Sequence, residues 1–277
     1  MGGRFTGQVA LITGAARGQG RSHALRLAQE GADIIAIDIC AQIDSVPYAM
    51  ATPQDLADTA REVEALDRRV VAHQADVRDQ SAVRQAVDDG VAQLGRLDIV
   101  AANAGISSFA AATDMPEDMW HDIIDTNLTG VWHTAKAAMP HLISGERGGA
   151  IVITSSAAGL KAIQHAAHYV SAKHGLVGLT RALALELAPH SIRVNSLHPT
   201  AVATEMIMND VLYSLLRPDL EKPTLEDVSE VMASMNVLPT RWVEPVDVTN
   251  ALVFLASEDA RFITGVTLPI DAGFTIR

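Results

Sequence analysis

The sequence predicts a three-layer α/β fold, in which a doubly wound parallel sheet is covered by helices on both faces of a single domain. Short apolar runs rich in β-branched residues alternate with longer segments of helical periodicity, which is the pattern of an α/β protein. The runs are continuously apolar, as expected for strands buried on both sides. With 277 residues, 48% of them hydrophobic, the chain fits one large core, and no linker or repeat marks a second domain.

The alternation is regular enough to place the elements one by one. The predicted strands are Val9–Thr13, Ile34–Ile37, Val70–Ala72, Ile99–Ala102, Ile151–Thr154, Val194–Leu197 and Val266–Ile270. The helical segments between them include Arg21–Glu30, Ala82–Leu94, Met119–Leu142, Ala172–Leu187 and Val246–Leu255. The third helix contains Pro140, which lacks a backbone N–H and could interrupt it. A further helix is expected after Thr52, a suitable N-cap, with Pro53 at its first position.

Two segments are additional to the simple alternation of strands and helices. The first is an insertion at Cys40–Pro53, and the second, Glu205–Pro239, is rich in Met and Leu and broken by prolines. We expect the second to form one or two short helices that close over a pocket as a substrate lid. It follows the sixth strand, where an α/β sheet opens its ligand crevice. The insertion could cover a site too, or form a surface loop that packs on itself or on a neighbouring subunit.

The bulk composition narrows the class of partner. The formal net charge is −12, which argues against binding to nucleic acid or to an anionic membrane, since both attract clustered Lys and Arg. No apolar run approaches the roughly 20 residues that span a bilayer. The single cysteine, Cys40, cannot form an internal disulfide, and no leader-like segment opens the chain. We therefore expect a cytoplasmic protein that acts on a small neutral or apolar molecule.

A glycine-rich turn follows the first predicted strand and leads directly into a helix. Gly14, Gly18 and Gly20 are its glycines, and they allow a tight turn and a close backbone approach to a pyrophosphate at the helix N-terminus. Asp38 closes the second strand, where the hydroxyl groups of a ribose would be met. Strand, turn, helix and acidic residue together predict a dinucleotide site of the Rossmann type.

The acidic residue also bears on the choice of dinucleotide. A carboxylate at Asp38 can accept hydrogen bonds from a free 2′-hydroxyl group but would repel a 2′-phosphate, which favours NAD over NADP. The turn contains Arg17 and Gln19 as well, and both are expected to border the cofactor. Because a basic side chain at Arg17 could grip a 2′-phosphate, NADP stays open as the alternative to the predicted NAD.

Several motifs occur in an order that resembles the short-chain dehydrogenase/reductase family over nearly the whole chain. The matching motifs are the G-x-x-x-G-x-G turn at Gly14, Gly18 and Gly20, the pair Asp76-Val77, the triplet Asn103-Ala104-Gly105, and the residues Asn127, Ser156, Tyr169 and Lys173. The resemblance implies a Rossmann fold that binds NAD or NADP and acts on an alcohol or a ketone. It also implies a homotetramer, because members of the family usually assemble in that way.

Tyr169 and Lys173 are the residues expected to carry the proton transfer. Oxidation of a secondary alcohol needs a base within reach of the hydroxyl group as hydride leaves the carbon. A phenol is a poor base at neutral pH, but a nearby cation lowers its pKa, and Lys173 stands one helical turn after Tyr169. Ser156 would donate to the substrate oxygen as it gains charge. Ser155 is the alternative, since the two serines are adjacent.

The resemblance assigns the remaining site residues. It implies that Lys173 and Tyr169 also contact the cofactor, with Lys173 holding the nicotinamide ribose. Asn127 is expected to hold a water molecule that links Lys173 to solvent. The other residues expected to border the cofactor by resemblance are Asp76, Val77, Asn103, Ala104, Gly105, Pro199, Thr204 and Met206.

Within this family the chain looks like the mycofactocin-coupled subgroup that includes carveol dehydrogenases. The cues are the insertion between Asp38 and Asp76, the Asn103–Ile106 context, and His198-Pro199-Thr200 in place of a Pro-Gly pair. Membership would imply a hydrophobic secondary alcohol as substrate, such as the cyclic terpenoid carveol. It would also imply a tightly held, non-exchangeable NAD that is reoxidised in place by a mycofactocin-type redox partner.

Other functions stay open at this point. The rivals are an NADPH-dependent ketone or ketoacyl reductase and a non-catalytic dinucleotide-binding protein, although a mere binder has no need of the Ser-Tyr-Lys set. His165 and His168 could share a helical face, but no third ligand is evident, so we expect no metal site.

Overall fold

A computed structural model describes residues 3–277, and within that range seven strands form one sheet. They are β1 (Val9–Thr13), β2 (Asp33–Asp38), β3 (Val70–Gln74), β4 (Ile99–Ala102), β5 (Gly149–Thr154), β6 (Ile192–Pro199) and β7 (Thr267–Ile270). The order across the sheet is β3-β2-β1-β4-β5-β6-β7, and every neighbouring pair is parallel. The predicted α/β class with a doubly wound parallel sheet is confirmed.

Helices cover both faces of this sheet. Over the described residues they are α1 (Gly18–Gln29), α2 (Pro53–Glu64), α3 (Gln80–Leu94), α4 (Glu117–Ile124), α5 (Gly130–Ser144), α6 (Ala167–Leu187), α7 (Asp210–Leu216), α8 (Leu225–Ser234) and α9 (Pro245–Ala256). None of them has the length and apolarity that a bilayer crossing requires.

The two faces of the sheet bury separate apolar clusters. Successive side chains of a strand point to opposite faces, so Leu11 packs with Val87 and Val131 on one side while Ile12 packs with Leu27 and Leu252 on the other. All of β1 and β2 is buried, which explains why these strands are continuously apolar in the sequence.

The helix predicted at Met119–Leu142 needs a correction. The helical stretch is continuous from Glu117 to Ser144 and is not interrupted at Pro140. Both Pro140 and Lys136 are exposed, so water can satisfy the Lys136 carbonyl that loses its donor. The irregularity lies earlier, in a π-helical turn at Asp125–Thr129, a feature often found at functional sites.

Helix α6 begins earlier than predicted. It starts at Ala167 rather than Ala172, so Tyr169 and Lys173 both lie in its first two turns. The prediction missed this start because Ala166 makes no side-chain cap, and the usual sequence signal of a helix N-terminus is therefore lacking.

The two additional segments fold differently from each other. The insertion has no regular structure before Thr52, whose side chain caps α2 in a reciprocal arrangement with Asp55. The later segment contains α7 and α8, and α8 starts with the same kind of cap between Thr224 and Asp227. A capping box satisfies two of the free N–H groups at a helix start.

Candidate active site

A cleft of about 860 Å³, including its open side, lies at the carboxyl edge of the sheet beside β1 and β4. The strand order reverses between these two strands, and such a switch point is where open α/β sheets bind ligands. The predicted residues that line the cleft are Gly14, Arg17, Gly18, Gln19, Gly20, Asp38, Asp76, Val77, Asn103, Ala104, Gly105, Thr204 and Met206. Three residues that are also expected to contact the cofactor, Tyr169, Lys173 and Pro199, are not among the lining residues. Pro199 ends β6 opposite Ile270.

The glycine turn is closed by direct backbone packing. Gly14 has φ +69°, and a Cβ there would lie 2.9 Å from the Ala104 Cα. A Cβ at Gly20 would lie 1.8 Å from the Gly14 carbonyl oxygen. Any side chain at Gly20 therefore forces the turn away from the first turn of α1, whose free N–H groups face the cleft.

We expect Gly20→Ala to weaken dinucleotide binding by at least about tenfold, because the backbone of the turn must shift. Isothermal titration of the nucleotide-free protein with NAD measures the change. The matched control is Gly178→Ala in α6, where an added Cβ meets no atom within 4 Å. Equal affinities for the two variants would contradict the assigned role of the turn.

Asp38 connects the glycine turn to the start of the insertion. One carboxylate oxygen accepts from the Ala16 N–H at 3.0 Å, and the other accepts from the Cys40 N–H at 3.1 Å. Each carboxylate oxygen can accept a second hydrogen bond, so the group is held in place at the cleft wall and still has acceptor capacity. This is the arrangement that recognition of a ribose hydroxyl requires.

Arg17 reaches across the mouth of the cleft. Its Nε lies 3.9 Å from a carboxylate oxygen of Glu205, which is more than half exposed. The pair joins the glycine turn to the segment that follows β6. Its contribution to stability is small, as for other exposed ion pairs, but it places a negative charge beside Arg17.

The expected catalytic side chains meet next to this cleft. The Ser156 hydroxyl lies near the Tyr169 phenol and acts to lower its pKa, and the Lys173 Nζ lies 5.5 Å from the centroid of the Tyr169 ring. The Ser156 hydroxyl accepts from the Ala158 N–H at 3.1 Å, so its proton is available for donation. A Cβ at Gly105, which lines the cleft, would lie 3.6 Å from the Lys173 Nζ, so the amine lies close behind this part of the cleft wall.

The two adjacent serines are clearly distinguished by their contacts. Ser155 is buried and its hydroxyl donates to the Lys173 carbonyl at 3.0 Å. Ser156 is partly exposed and its side chain lies near the Tyr169 phenol. Of the two, only Ser156 is placed beside the phenol that a substrate would approach.

The profile of the short chain dehydrogenase family matches residues 8–212 of this sequence. The chain belongs to this family. It is 57% identical to (-)-trans-carveol dehydrogenase of Rhodococcus erythropolis over 275 residues, which are 99% of each chain.

Two crystal structures of family members cover nearly all of the chain. Carveol dehydrogenase from Mycobacterium avium in complex with NAD is 56% identical, with a TM-score of 0.98, and covers 99% of this chain and 100% of its own. A short chain dehydrogenase from Mycobacterium paratuberculosis bound to NAD is 45% identical, with a TM-score of 0.91 and the same coverage. The resemblance inferred from the motifs is confirmed.

The expectation that a cation at Lys173 lowers the pKa of Tyr169 stays a prediction. In the protein alone, burial raises the pKa of Tyr169 to about 12. Burial also lowers the pKa of Lys173 to about 7. Desolvation disfavours both charged forms, and the Lys173 ammonium donates to the neutral Thr154 carbonyl at 3.0 Å instead of to an anion. The protein by itself therefore does not hold a phenolate at neutral pH.

Asn127 holds the backbone around it through three side-chain hydrogen bonds. Its Nδ2 donates to the carbonyls of Ile106 and Ile123 at 3.0 Å each, and its Oδ1 accepts from the Ile106 N–H at 3.0 Å. Asn127 lies in the π-helical turn and so fixes the segment after β4 against Gly105. The water-holding role implied by the resemblance stays a prediction.

Asn103 and Asp76 face the cleft but are also held by neighbouring residues. The Asn103 side chain donates to the Thr13 carbonyl at 3.1 Å and accepts from the Thr154 hydroxyl at 3.2 Å, which ties the ends of β1, β4 and β5. The Asp76 carboxylate accepts from the Arg78 guanidinium at 2.8 Å. These contacts give each side chain a structural task besides any contact with a cofactor.

The insertion supplies a cleft wall that the motifs did not reveal. Ile43, Tyr48 and Met50 line the cleft, and the Tyr48 hydroxyl accepts from the Ser107 N–H at 3.1 Å. On the outer side, the Ser45 hydroxyl donates to the Asp122 carboxylate at 2.7 Å. The insertion packs on its own chain at the cleft, and this contact pattern leaves no signal in a single sequence.

No group of three or more His, Cys, Asp or Glu side chains within residues 3–277 is arranged to hold a metal ion. His165 is exposed in a loop with φ +59°. His168 is fully buried and hydrogen-bonds to the Ser108 hydroxyl at 3.0 Å. The two histidines therefore do not present a common ligand face.

Proposed function

We propose that this dehydrogenase interconverts a hydrophobic secondary alcohol and its ketone, with NAD as the hydride carrier. The observation that carries the proposal is the meeting of three side chains next to the cleft, with the Ser156 hydroxyl near the Tyr169 phenol and the Lys173 Nζ 5.5 Å from the centroid of the Tyr169 ring. A pure dinucleotide binder needs no such set, which argues against the non-catalytic alternative. Fold alone would not carry this conclusion.

The cleft fits a dinucleotide on its own contacts. Within the described part of the chain, the Gln19 Oε1 and the Thr126 Oγ1 are buried without a hydrogen-bond partner, and both residues line the cleft. Buried polar atoms without partners are rare and indicate a missing ligand or water. The glycine turn would hold the pyrophosphate and Asp38 the adenosine ribose.

The charges of the cleft favour NAD over NADP. Asp38 stands where a 2′-phosphate would meet a carboxylate. Arg17, the residue that could grip such a phosphate, already has the Glu205 carboxylate beside it. The two family members described above carry NAD in their crystals. The NADPH-dependent reductase is therefore the weaker candidate.

Proton transfer is the task of Tyr169, Ser156 and Lys173. A bound nicotinamide would accept the hydride from the alcohol carbon or return it to the ketone. Tyr169 takes the hydroxyl proton in oxidation and gives it back in reduction, while Ser156 donates to the substrate oxygen. Lys173 would hold the nicotinamide ribose, and its protonated form would favour the phenolate of Tyr169.

The surroundings of Tyr169 support an apolar substrate. Tyr169 packs in a cluster with Tyr48, Ile106 and Met206, so carbon atoms dominate the space next to the phenol. One relative is named (-)-trans-carveol dehydrogenase, and carveol is a cyclic alcohol. We take cyclic secondary alcohols of the carveol type as the substrate class, bounded on one side by the lid segment at 205–239.

The cofactor would be retained between turnovers. The insertion walls the cleft with Ile43, Tyr48 and Met50, and the Arg17–Glu205 pair crosses its mouth. A protein that keeps its NAD needs a separate redox partner to reoxidise it, and a mycofactocin-type carrier is our proposal for that partner. We also propose that the protein assembles as a homotetramer and is located in the cytoplasm.

The first test is denaturation of carefully purified protein and identification of any nucleotide released. We expect about one NAD or NADH per chain, because a cofactor covered by the insertion leaves slowly. Release of NADP would overturn the interpretation of Asp38. An empty protein that binds added NAD weakly would contradict cofactor retention and leave an ordinary exchangeable dehydrogenase.

The second test is turnover of carveol with an artificial electron acceptor. We expect the acceptor to support oxidation and added NAD alone to support little, because bound NAD cannot exchange. Cyclohexanol and a straight-chain primary alcohol are the comparison substrates. Equal turnover of all three alcohols would contradict the proposed substrate class.

A further inference from the structure

His198 lies beside the candidate catalytic residues but has no role in the proton transfer described above. It is completely buried near the end of β6. Its Nδ1 lies 2.8 Å from the carbonyl oxygen of Ser156, and its Nε2 lies 2.9 Å from the Ser196 hydroxyl. Both ring nitrogens are therefore engaged, one of them with the backbone of a candidate catalytic residue.

These contacts define the tautomer of the His198 ring. A carbonyl oxygen can only accept, so Nδ1 carries the proton and donates it to Ser156. In a neutral ring the Nε2 then accepts, and the Ser196 hydroxyl is the donor. Burial lowers the pKa of His198 to about 4, so the ring is neutral at physiological pH.

The backbone of Ser156 is held by two donors at its carbonyl. Besides His198, the Gly159 N–H donates to it at 2.8 Å. The hydrogen bond from Gly159 closes the short turn that follows Ser156, whereas the hydrogen bond from His198 connects this turn to β6. On the opposite side of the turn, the Lys173 amine donates to the Thr154 carbonyl at 3.0 Å, so α6 and β6 hold the turn between them.

We propose that His198 is a positioning residue, which clamps the Ser156 carbonyl to β6 and so aims the Ser156 hydroxyl at the substrate oxygen and Tyr169. Ser196 supports it by holding the ring in the Nδ1-protonated form. The inference rests on the proposed alcohol oxidation, since it assigns a task within that reaction. It predicts that a side chain with a donor at the Nδ1 position can replace the histidine.

Asparagine and glutamine form a matched pair of replacements. The amide nitrogen of Asn can take the place of the Nδ1 donor, and that of Gln can only take the place of Nε2. We expect His198→Gln to lower kcat by about tenfold, roughly the effect of one lost hydrogen bond. We expect His198→Asn to stay within about threefold of the wild type. KM and the melting temperature should differ little between the two variants, because the Ser156 contribution arises in the transition state.

The assay is carveol oxidation with an artificial acceptor, with the melting temperature measured in parallel. Equal kcat values for the two variants, or a loss of kcat that follows the loss of thermal stability, would overturn the proposal. Ser196→Ala is a milder test of the same contacts. A kcat equal to that of the wild type would show that Ser196 does not support the His198 ring.

A measurement on the folded protein separates this inference from the proposed function. Nitrogen-15 NMR of histidine-labelled wild-type protein should show His198 protonated at Nδ1 and unprotonated at Nε2, whether or not carveol is a substrate. The Gly159 amide signal should move more in His198→Gln than in His198→Asn, because both donors share the Ser156 carbonyl. A ring protonated at Nε2 would overturn the inference, even if alcohol oxidation is confirmed. Absence of any alcohol turnover by the wild type would overturn the proposed function alone.

Discussion

Replacement of Tyr169 by Phe is expected to lower kcat for alcohol oxidation by at least about a thousandfold, because it removes the group that we propose as the acceptor of the hydroxyl proton. Nucleotide content should be unchanged, since only the phenolic oxygen is lost and the ring still packs in its cluster with Tyr48 and Ile106. The measurement is kcat with carveol and an artificial acceptor, together with the nucleotide released on denaturation.

The pH profile gives this prediction a second readout. Burial raises the pKa of Tyr169, and the phenolate is the active form in oxidation, so kcat of the wild type should rise with pH until the phenol is ionised. The residual activity of Tyr169→Phe should lack this rise. Tyr213→Phe in α7 is the control, because the Tyr213 hydroxyl only reaches the Met208 sulfur at 3.7 Å. Activity retained by Tyr169→Phe would rule out the assigned base.

Lys173→Met is the second variant with a large expected effect, and it should change activity and stability in opposite directions. We expect kcat to fall by about a hundredfold or more, because the variant lacks the cation that favours phenolate. The nucleotide-free protein should gain a few degrees in melting temperature at pH 7. The reason is that Lys173 is buried without an anionic partner, while Met fills a similar space without a charge.

The sign of the pH dependence follows from the lowered pKa of Lys173, about 7 in the folded protein. Between pH 7 and the ordinary pKa of a lysine, the unfolded chain holds a proton on this amine that the folded chain has lost. The free energy of unfolding of the wild type therefore rises with pH in this range. The stability advantage of Lys173→Met is full at or below pH 7 and shrinks as the pH approaches about 10.

Thermal melts of both proteins from pH 6 to pH 10 measure this difference. The control is Lys136→Met, because the Lys136 side chain is exposed and lies over the Trp132 ring with its Nζ 4.5 Å from the centroid. That variant should keep its activity and show no such pH-dependent advantage. If the difference in melting temperature between Lys173→Met and the wild type stays constant from pH 6 to pH 10, burial does not lower the pKa of Lys173.

The lid segment and the insertion are the parts of the site where prediction was weakest. Glu205 stands between Thr204 and Met206, which are both expected to border the cofactor, but its approach to Arg17 needs two loops that are far apart in the chain. Tyr48 lies in a stretch without any motif, and its position against Ser107 depends on how that stretch folds back. Local sequence patterns carry no information about such non-local contacts.

The positions of the strands, the glycine turn and the residue types at the site could all be predicted from the sequence, because each depends on local patterns along the chain. Continuous apolar runs follow from burial on both faces of the sheet. The glycine turn follows from the lack of room for a Cβ at Gly20. The family follows from the order of motifs along the chain.

Only the tertiary structure shows how two adjacent serines differ in their contacts, and which atoms hold each of them in place. The sequence favours Ser156 and leaves Ser155 as the alternative, and β6 and α6 give the two residues different partners, His198 for Ser156 and Lys173 for Ser155. The pKa values of Tyr169 and Lys173 also depend on the tertiary structure, because desolvation depends on every atom packed around a group. The sequence by itself determined the chemistry available to this protein, and long-range packing determined how each group is aimed and charged.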